Sequence, residues 1–319
     1  MKLQTSMALV QGERKIDYSS RLLLLGSCFV DHMGDKLEYF KFQNLRNPFG
    51  ALFHPPALEK LLHRAVEELE YSGDEVFEQQ GSWRCFDAHS QLVAQSREAL
   101  LELLDQRLLD TRRALEDASH LVITLGTAWV YLHQKSGMTV ANCHKLPQRD
   151  FEKKLLSVSE ISASLDRILD LLERVNPDCQ VVFTISPVRH LRDGFVENQR
   201  GKAHLIGALH QVLDARGKHG PAAYFPAYEL QMDELRDYRF YARDMIHPNE
   251  LAIDYIWERF RSVWISPDCS PLMTEVEQVQ KALGHRAMDP DSDGHKKFSA
   301  SLREKIAYLQ RAYPFMKFD

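Results

Sequence analysis

Short apolar runs recur along the chain, and each is followed by a segment with helical periodicity. The four runs are Arg21–Leu25, Leu121–Leu125, Gln180–Ile185 and Ala222–Phe225. Runs of this length, each bounded by a turn residue, are typical of strands that are buried on both faces. Their alternation with helices predicts an α/β fold in which helices cover both faces of a parallel central sheet.

The segments between and after these runs place apolar side chains at helical spacing. The predicted helices are Pro56–Tyr71, Ser96–Ala118, Ser159–Val175, Glu197–Arg216 and Pro248–Val263. Ser96 is a suitable N-cap, and Pro248 suits a first helical turn. After Pro267 a polar stretch at residues 289–297 precedes a final predicted helix, Ser299–Ala312. We therefore predict an α/β domain over residues 1–265 and a helical C-terminal extension over residues 266–319.

Three of the predicted strands end at polar or glycine-containing dipeptides. These dipeptides are Gly26-Ser27, Gly126-Thr127 and Ser186-Pro187. In open α/β sheets, ligands bind outside the carboxyl ends of the strands. We therefore expect these three dipeptides to border one crevice.

Ser27 lies between a predicted strand and a helical repeat of Phe29, Met33 and Leu37. A serine hydroxyl attacks a carbonyl only when a base takes its proton and donors hold the oxyanion. A helix N-terminus favours negative charge, so this position suits a nucleophile. Two alternatives remain open: Ser27 caps the helix, or its neighbour Cys28 is the nucleophile.

Asp244 and His247 form the second informative pair. An aspartate three residues before a histidine can turn back, accept a hydrogen bond from the ring and stabilise the imidazolium. The alternative is that either residue simply terminates a helix. The chain order Ser27, Asp244, His247 predicts a catalytic triad that cleaves or transfers an acyl ester.

Charge and cysteine content exclude several classes of partner. The formal net charge is -5, which does not favour nucleic acid or an anionic membrane. The five cysteines are scattered and too few for a disulfide scaffold. The first residues lack the pattern of a signal peptide. We therefore predict a cytoplasmic location and leave the oligomeric state open.

Gly26-Ser27-Cys28-Phe29 resembles the signature of the GSCFA family, a bacterial group of largely unassigned function, with Val30 where alanine is usual. Other segments resemble that family in the same order. They are Asn47–Gly50, Asn142–Lys145, Ser186–His190, Leu235–Tyr241 and the block of Asp244 and His247. The resemblance spans roughly residues 20 to 265.

The same residues also resemble the four sequence blocks of the SGNH, or GDSL-like, hydrolases. That resemblance implies a flavodoxin-like three-layer sandwich with catalytic Ser27, Asp244 and His247. Its oxyanion hole would use the backbone of Ser27 and Gly50. The asparagine usual in the third block is missing from Leu125–Trp129, so we expect Thr127 to take that place, with His89 and Asn142 as alternatives.

The implied substrate is a small-molecule or carbohydrate ester of acetate or another short acyl group. Hydrolysis, acyl transfer and a non-catalytic binding module on the same fold remain open. The residues expected to bind substrate are Asn47, His89, Asn142, His144 and Arg189.

Cys85, His89, Cys143 and His144 have the side chains of a zinc site but not its usual spacing. We therefore expect no metal and no cofactor.

Overall fold

The computed structural model describes residues 5–217, 220–285 and 292–318. Within these ranges the strands are β1 (Arg21–Gly26), β2 (Gln43–Arg46), β3 (Val76–Gln79), β4 (Ser82–Cys85), β5 (His120–Leu125), β6 (Trp129–His133), β7 (Thr139–Val140), β8 (Phe151–Leu155), β9 (Gln180–Ile185) and β10 (Ala222–Phe225). The helices are α1 (Phe29–Tyr39), α2 (Pro55–Val66), α3 (Arg97–Asp117), α4 (Val158–Val175), α5 (Phe195–Arg216), α6 (Ala227–Glu229), α7 (Glu250–Trp264), α8 (Ser270–Leu283) and α9 (Asp293–Ala312).

Five parallel strands form the central sheet, in the order β10-β9-β5-β1-β2. Numbered by their occurrence in the chain, these strands read 2-1-3-4-5, the order of flavodoxin-like folds. The four predicted strands are confirmed as β1, β5, β9 and β10. The edge strand β2 escaped prediction because its sequence, Gln-Asn-Leu-Arg, is only half-buried and contains no apolar run.

Alternate leucines of β1 enter two separate cores. Leu23 and Leu25 pack with the side chains of α2, α3, α4 and α5 on one face. Leu22 and Leu24 pack with those of α1, α7 and α8 on the other. Because both faces are covered, every position after Arg21 in β1 is buried, which explains the continuous apolar run.

Side-chain N-caps mark the start of five of the nine helices in the described ranges. Ser96 accepts a hydrogen bond from the Ala99 amide, as predicted. The helix predicted from Pro248 instead begins at Glu250, because Asn249 supplies the N-cap by accepting from Ala252. Pro248 lies outside the helix, in a bridge with Tyr241.

The polar stretch at residues 289–297, which was expected to precede the final helix, is partly helical. The final helix, predicted from Ser299, begins at Asp293, where the Ser292 hydroxyl accepts from the His295 amide. Residues 289–291 of that stretch lie outside the described ranges. The C-terminal segment joins the core on the α1 and α7 face of the sheet, where Met273, Val276 and Met316 are buried. In the described ranges, no helix combines the length and apolarity that a bilayer crossing requires.

Two small antiparallel sheets accompany the central sheet. One is the hairpin β3–β4, and the other has the order β7-β6-β8. Strand β6 begins only four residues after the end of β5, so the three-stranded sheet lies beyond the carboxyl end of the central sheet. This sheet supplies one wall of the cavity described with the candidate functional site.

Candidate functional site

The chain turns sharply where β1 ends. Gly26 has a φ of +133°, and a Cβ at this position would lie 2.1 Å from the Thr124 carbonyl oxygen of β5. The Gly26 amide donates to Asn47 Oδ1 at 2.9 Å. Ser27 then continues the ladder by donating its amide to Thr124 at 3.0 Å. Cys28 is the N-cap residue of α1.

Ser27 is enclosed by the fold. Its side chain is 0% exposed, and its hydroxyl has no hydrogen-bond partner among the described residues. The hydrogen bond predicted between Ser27 and His247 is therefore not formed. The Ser27 hydroxyl also does not cap α1, which has no side-chain cap.

Cys28 is partly exposed, unlike Ser27. Burial raises the pKa of the Cys28 thiol, and Asp31 adds to the rise. Lys202 and the backbone amides of Cys28 and Phe29 act in the opposite direction. Burial and Asp31 outweigh these opposing contributions, so the thiol form of Cys28 is favoured over the thiolate.

Asp244 and His247 make the contact expected of them. Asp244 Oδ2 and His247 Nδ1 lie 2.7 Å apart, and Asp244 Oδ1 accepts from the amides of Ile246 and His247. The hydrogen bond from His247, followed by those from the two amides, lowers the pKa of Asp244 to about 2. Since Asp244 occupies Nδ1, Nε2 is the nitrogen left to accept a proton.

The loop bearing His247 is anchored to the end of β9. The Arg189 amide, four residues beyond β9, donates to the Ile246 carbonyl at 3.3 Å. The Ala242 amide donates to His247 across the loop at 2.7 Å, and Met245 takes a φ of 59° in the turn. His247 therefore belongs to the same edge of the sheet as the turn after β1.

The backbone donors expected to form the oxyanion hole are already in use. Gly50 donates its amide to Asn47 at 2.7 Å, and Ser27 donates to Thr124. Thr127 donates its amide to Phe53, while its hydroxyl accepts from Trp129 at 3.0 Å. Of these donors, the Thr127 hydroxyl proton remains available for a ligand.

Two of the expected substrate-binding residues lie near the turn after β1. The Asn47 side chain forms hydrogen bonds within the fold. Its Oδ1 accepts from the Gly26 amide, and its Nδ2 donates to Asp31 Oδ1 at 3.2 Å. His89 packs its Cβ against Gly50. Burial lowers the pKa of His89, and its Nδ1 has no hydrogen-bond partner in the described part of the chain.

The other three expected substrate-binding residues are more dispersed. Asn142 lines the cavity described next. His144 is only 2% exposed, and its Nε2 lies 2.6 Å from the Cys85 carbonyl oxygen; burial lowers its pKa to about 4. Arg189 lies over the Tyr241 ring at 4.2 Å. His144 Nδ1 and Arg189 Nη1 have no hydrogen-bond partner among the described residues.

A cavity of about 660 Å³ lies beyond the carboxyl end of β5. Lys145 and Arg192 contribute cationic side chains, and none of its described lining residues is an aspartate or a glutamate. Its aromatic walls come from Phe53, Trp129, Tyr131 and Phe151. A cavity that combines cationic and aromatic side chains suits an organic group that carries negative charge.

His190 links this cavity to the His247 loop. It lines the cavity, and its ring meets Phe53 edge to face. Burial lowers the pKa of His190 to about 3, and both Lys202 and His247 contribute to the shift. Its Nε2 has no partner among the described residues, so it is available to a ligand in the cavity.

Lys202 is a site residue that sequence reasoning missed. Its Nζ donates to the carbonyls of Gly126 and Ser186, at 2.6 and 2.7 Å, and the residue is 1% exposed. It therefore joins the ends of β5 and β9. The signal that could have revealed it in the sequence is a lysine within the buried stripe of α5. The other buried residues of this stripe include Asn198, Gly201, Leu205 and Leu209.

The buried ammonium predicts a pH-dependent stability. Burial lowers the pKa of Lys202 from 10.5 to about 7. Between these values the unfolded chain binds more protons here, so the free energy of unfolding rises with pH. From pH 7.5 to 8.5, wild type should gain about 1 kcal/mol over Lys202→Met in urea melts. The exposed-site control Lys135→Met should follow wild type, and parallel profiles for Lys202→Met and wild type would contradict the assignment.

Metal-ligating side chains do not cluster in the described residues. Cys85, His89, Cys143 and His144 take part in packing and backbone contacts instead. The Cys85 carbonyl, not its thiol, meets His144, and Cys143 lines the cavity.

Comparison with known families gives two matches that together cover most of the chain. The model of the GSCFA family matches residues 21–260. The model of the GSCFA domain protein, C-terminal domain, matches residues 276–319. The first match includes the turn after β1, Lys202 and the His247 loop. No curated protein matches the chain.

Proposed function

We propose that this chain, which belongs to the GSCFA family, hydrolyses or transfers a short O-acyl ester in the manner of SGNH hydrolases. The contact of 2.7 Å between Asp244 and His247 carries this proposal. It supplies an oriented general base at the strand ends, where ligands of such folds bind. The nucleophile belongs to the Ser27–Cys28 junction, for which the sequence favours Ser27.

The reaction needs a base that also returns its proton. His247 Nε2 would take a proton from the nucleophile as it attacks the ester carbonyl. It would then give that proton to the departing alcohol. Water, or an acceptor alcohol or amine, would release the acyl group in the second half of the reaction. Asp244 would stabilise the imidazolium in both halves.

The cavity suggests what the ester carries besides its acyl group. Its volume of about 660 Å³ accommodates a small molecule or a sugar unit. The cationic side chains of Lys145 and Arg192 favour a substrate with a carboxylate or a phosphate. We therefore propose an anionic small-molecule or carbohydrate ester as substrate.

The proposal is tested with a neutral aryl acetate, because this ester makes few demands on the cavity. Wild-type protein should release the phenol catalytically, and intact-mass spectrometry after rapid acid quenching should show one added acetyl group. If neither phenol release nor an acetyl adduct were observed, the proposal that this protein is an acyl-ester enzyme would be contradicted.

Arg192 provides a test of the substrate class. Arg192→Gln should raise KM for a carboxylate-bearing aryl ester by about tenfold, because a charge-assisted contact is lost. The neutral aryl acetate should be hydrolysed as by wild type. Arg21→Gln removes the same charge from the opposite end of β1 and should leave both KM values unchanged. Equal effects of Arg192→Gln on the two esters would contradict an anionic substrate.

A non-catalytic binding module is the second candidate. It is favoured by the enclosed Ser27 hydroxyl and by the Ser27 and Gly50 amides that are already hydrogen-bonded. In this case the cavity would bind the same anionic esters without turnover. Calorimetric binding without hydrolysis would support this candidate.

We also propose a cytoplasmic location in a bacterium. Its support is the family match and the cysteines, which are all unpaired. Unpaired cysteines are typical of reducing compartments.

A further inference from the structure

We propose that the protein has a second ligand site, a small pocket in which Arg189 and Gln231 bind a 2-hydroxycarboxylate. This site goes beyond the proposed function, because none of its described lining residues also lines the cavity of about 660 Å³. Two neighbouring residues belong to different spaces: His190 lines the cavity, whereas Arg189 lines the pocket.

The pocket has a volume of about 140 Å³. Five of its eight described lining residues belong to the segment Leu235–Tyr241, for which the proposed function has no role. Leu235 and Tyr241 are buried, while the residues between them that line the pocket are exposed. A water molecule takes up about 30 Å³ of the liquid. The pocket therefore suits a ligand with only a few non-hydrogen atoms, which enters from solvent.

Gln231 is the residue whose surroundings most clearly indicate a ligand. It lies in a π-helical turn, Leu230–Glu234, where the Leu235 amide donates to the Leu230 carbonyl at 3.0 Å. Gln231 is 0% exposed, and neither its Oε1 nor its Nε2 has a hydrogen-bond partner among the described residues. A buried amide without partners destabilises a fold, and π-helical turns are frequent at functional sites. A ligand in the pocket that Gln231 lines would supply both partners.

Arg189 brings a held guanidinium to the same pocket. The guanidinium carbon lies 4.2 Å from the centre of the Tyr241 ring and 5.4 Å from that of Tyr238, and both tyrosines line the pocket. Arg189 Nη1 is buried and has no hydrogen-bond partner in the described part of the chain. Because aromatic rings hold its orientation, the planar guanidinium is prepared to donate to a carboxylate.

The other charges around the pocket also favour an anion. Arg236 adds a second cation, and Asp237 is the one carboxylate among the described lining residues. Asp237 is hydrogen-bonded to Arg239, from the backbone amide at 2.8 Å and from the guanidinium at 3.1 Å. Its negative charge is therefore shared with an arginine outside the pocket, and the lining keeps a positive balance.

The two atoms of the Gln231 amide specify the class of ligand. Nε2 donates, so it can join Arg189 in binding a carboxylate. Oε1 accepts, so it needs a donor that a simple carboxylate does not have. A hydroxyl on the carbon next to the carboxylate supplies this donor within a molecule small enough for the pocket. These requirements together describe a 2-hydroxycarboxylate.

The pocket adjoins the loop that carries His247. The Arg189 amide donates to the Ile246 carbonyl at 3.3 Å, and Tyr241 pairs with Pro248 in a β-bridge. Two lining residues of the pocket therefore contact the loop on either side of His247. A bound ligand would lie against this loop without entering the cavity.

The first test titrates isotope-labelled wild-type protein with glycolate, acetate and acetamide at constant ionic strength. The backbone amide resonances of residues 230–241 report binding at the pocket. Glycolate should bind at least about tenfold more tightly than acetate, because only glycolate offers a hydroxyl to Gln231 Oε1. Acetamide, which lacks the charge, should bind more weakly than either. If glycolate did not shift these resonances, or bound no better than acetate, the inference would be overturned.

The second test repeats the titrations with three variants. Gln231→Leu should lose the preference for glycolate over acetate, and without ligand it should be at least as stable as wild type in urea melts, because it removes an unpaired buried amide. Arg189→Gln should weaken the binding of both carboxylates by at least about tenfold. Arg192→Gln removes a cation from the cavity instead and should bind glycolate as wild type does.

The variants also show where the anion binds. Weaker glycolate binding in Arg192→Gln, with unchanged binding in Arg189→Gln, would place the ligand in the cavity and overturn the inference. A preference for glycolate that survived in Gln231→Leu would equally overturn it. Binding is the quantity measured in both tests, so the absence of acyl-ester turnover would contradict the proposed function without affecting this inference.

Discussion

His247→Ala is expected to lower kcat/KM for an aryl acetate by at least about 10³-fold. The imidazole is the base for either candidate nucleophile, so its removal stops the covalent step whichever of Ser27 and Cys28 attacks. The free energy of unfolding should change by less than about 0.5 kcal/mol, because the His247 side chain is 40% exposed. Steady-state kinetics and urea melts of the same preparation measure both quantities.

Two further variants make this result specific. Asp244→Asn should cost less activity than His247→Ala, since Asp244 orients the ring but transfers no proton. His63→Ala changes an exposed histidine of α2 and should have no effect on turnover. If His247→Ala retained more than about a tenth of wild-type activity, the base would have to be another residue.

Gly26→Ala is expected to destabilise the fold by about 3 kcal/mol or more. Two penalties add here. The φ of +133° is one that L side chains rarely adopt, and the new Cβ would lie 2.1 Å from the Thr124 carbonyl oxygen. That oxygen belongs to the neighbouring strand and cannot move without disturbing the sheet. Thermal or urea unfolding of purified protein measures the loss.

A second glycine separates the two penalties. Gly81 has a φ of +76°, and a Cβ there meets nothing within 4 Å. Gly81→Ala should therefore cost only about 1–2 kcal/mol, the conformational penalty alone. If Gly26→Ala and Gly81→Ala lowered the free energy of unfolding by similar amounts, the steric penalty at Gly26 would be absent. The strands β1 and β5 would then move apart easily, despite the hydrogen bond from the Ser27 amide to Thr124.

Much of the fold could be predicted because its signals are local. Strands β1, β5, β9 and β10 are short apolar runs, since helices cover both faces of the sheet. The strand β2 could not be predicted, because its half-buried, polar residues become a strand only by pairing with β1. The sheet of β6, β7 and β8 likewise depends on pairing rather than on a distinctive run.

The candidate site divides in the same way. The contact between Asp244 and His247 spans three residues, so a turn within one loop is enough to form it, and the spacing alone predicts it. Lys202 contacts a carbonyl 76 residues away, and no local pattern shows where its ammonium will lie.

The sequence does not show which of Ser27 and Cys28 is exposed. Both follow Gly26 at the start of a helix, and the sequence offers each as a nucleophile. Their exposures differ because the Ser27 amide bonds to β5, nearly 100 residues along the chain, and holds that side chain inside. Backbone propensities and spacings are encoded within a few residues. The burial of a polar side chain instead depends on which distant strand packs beside it.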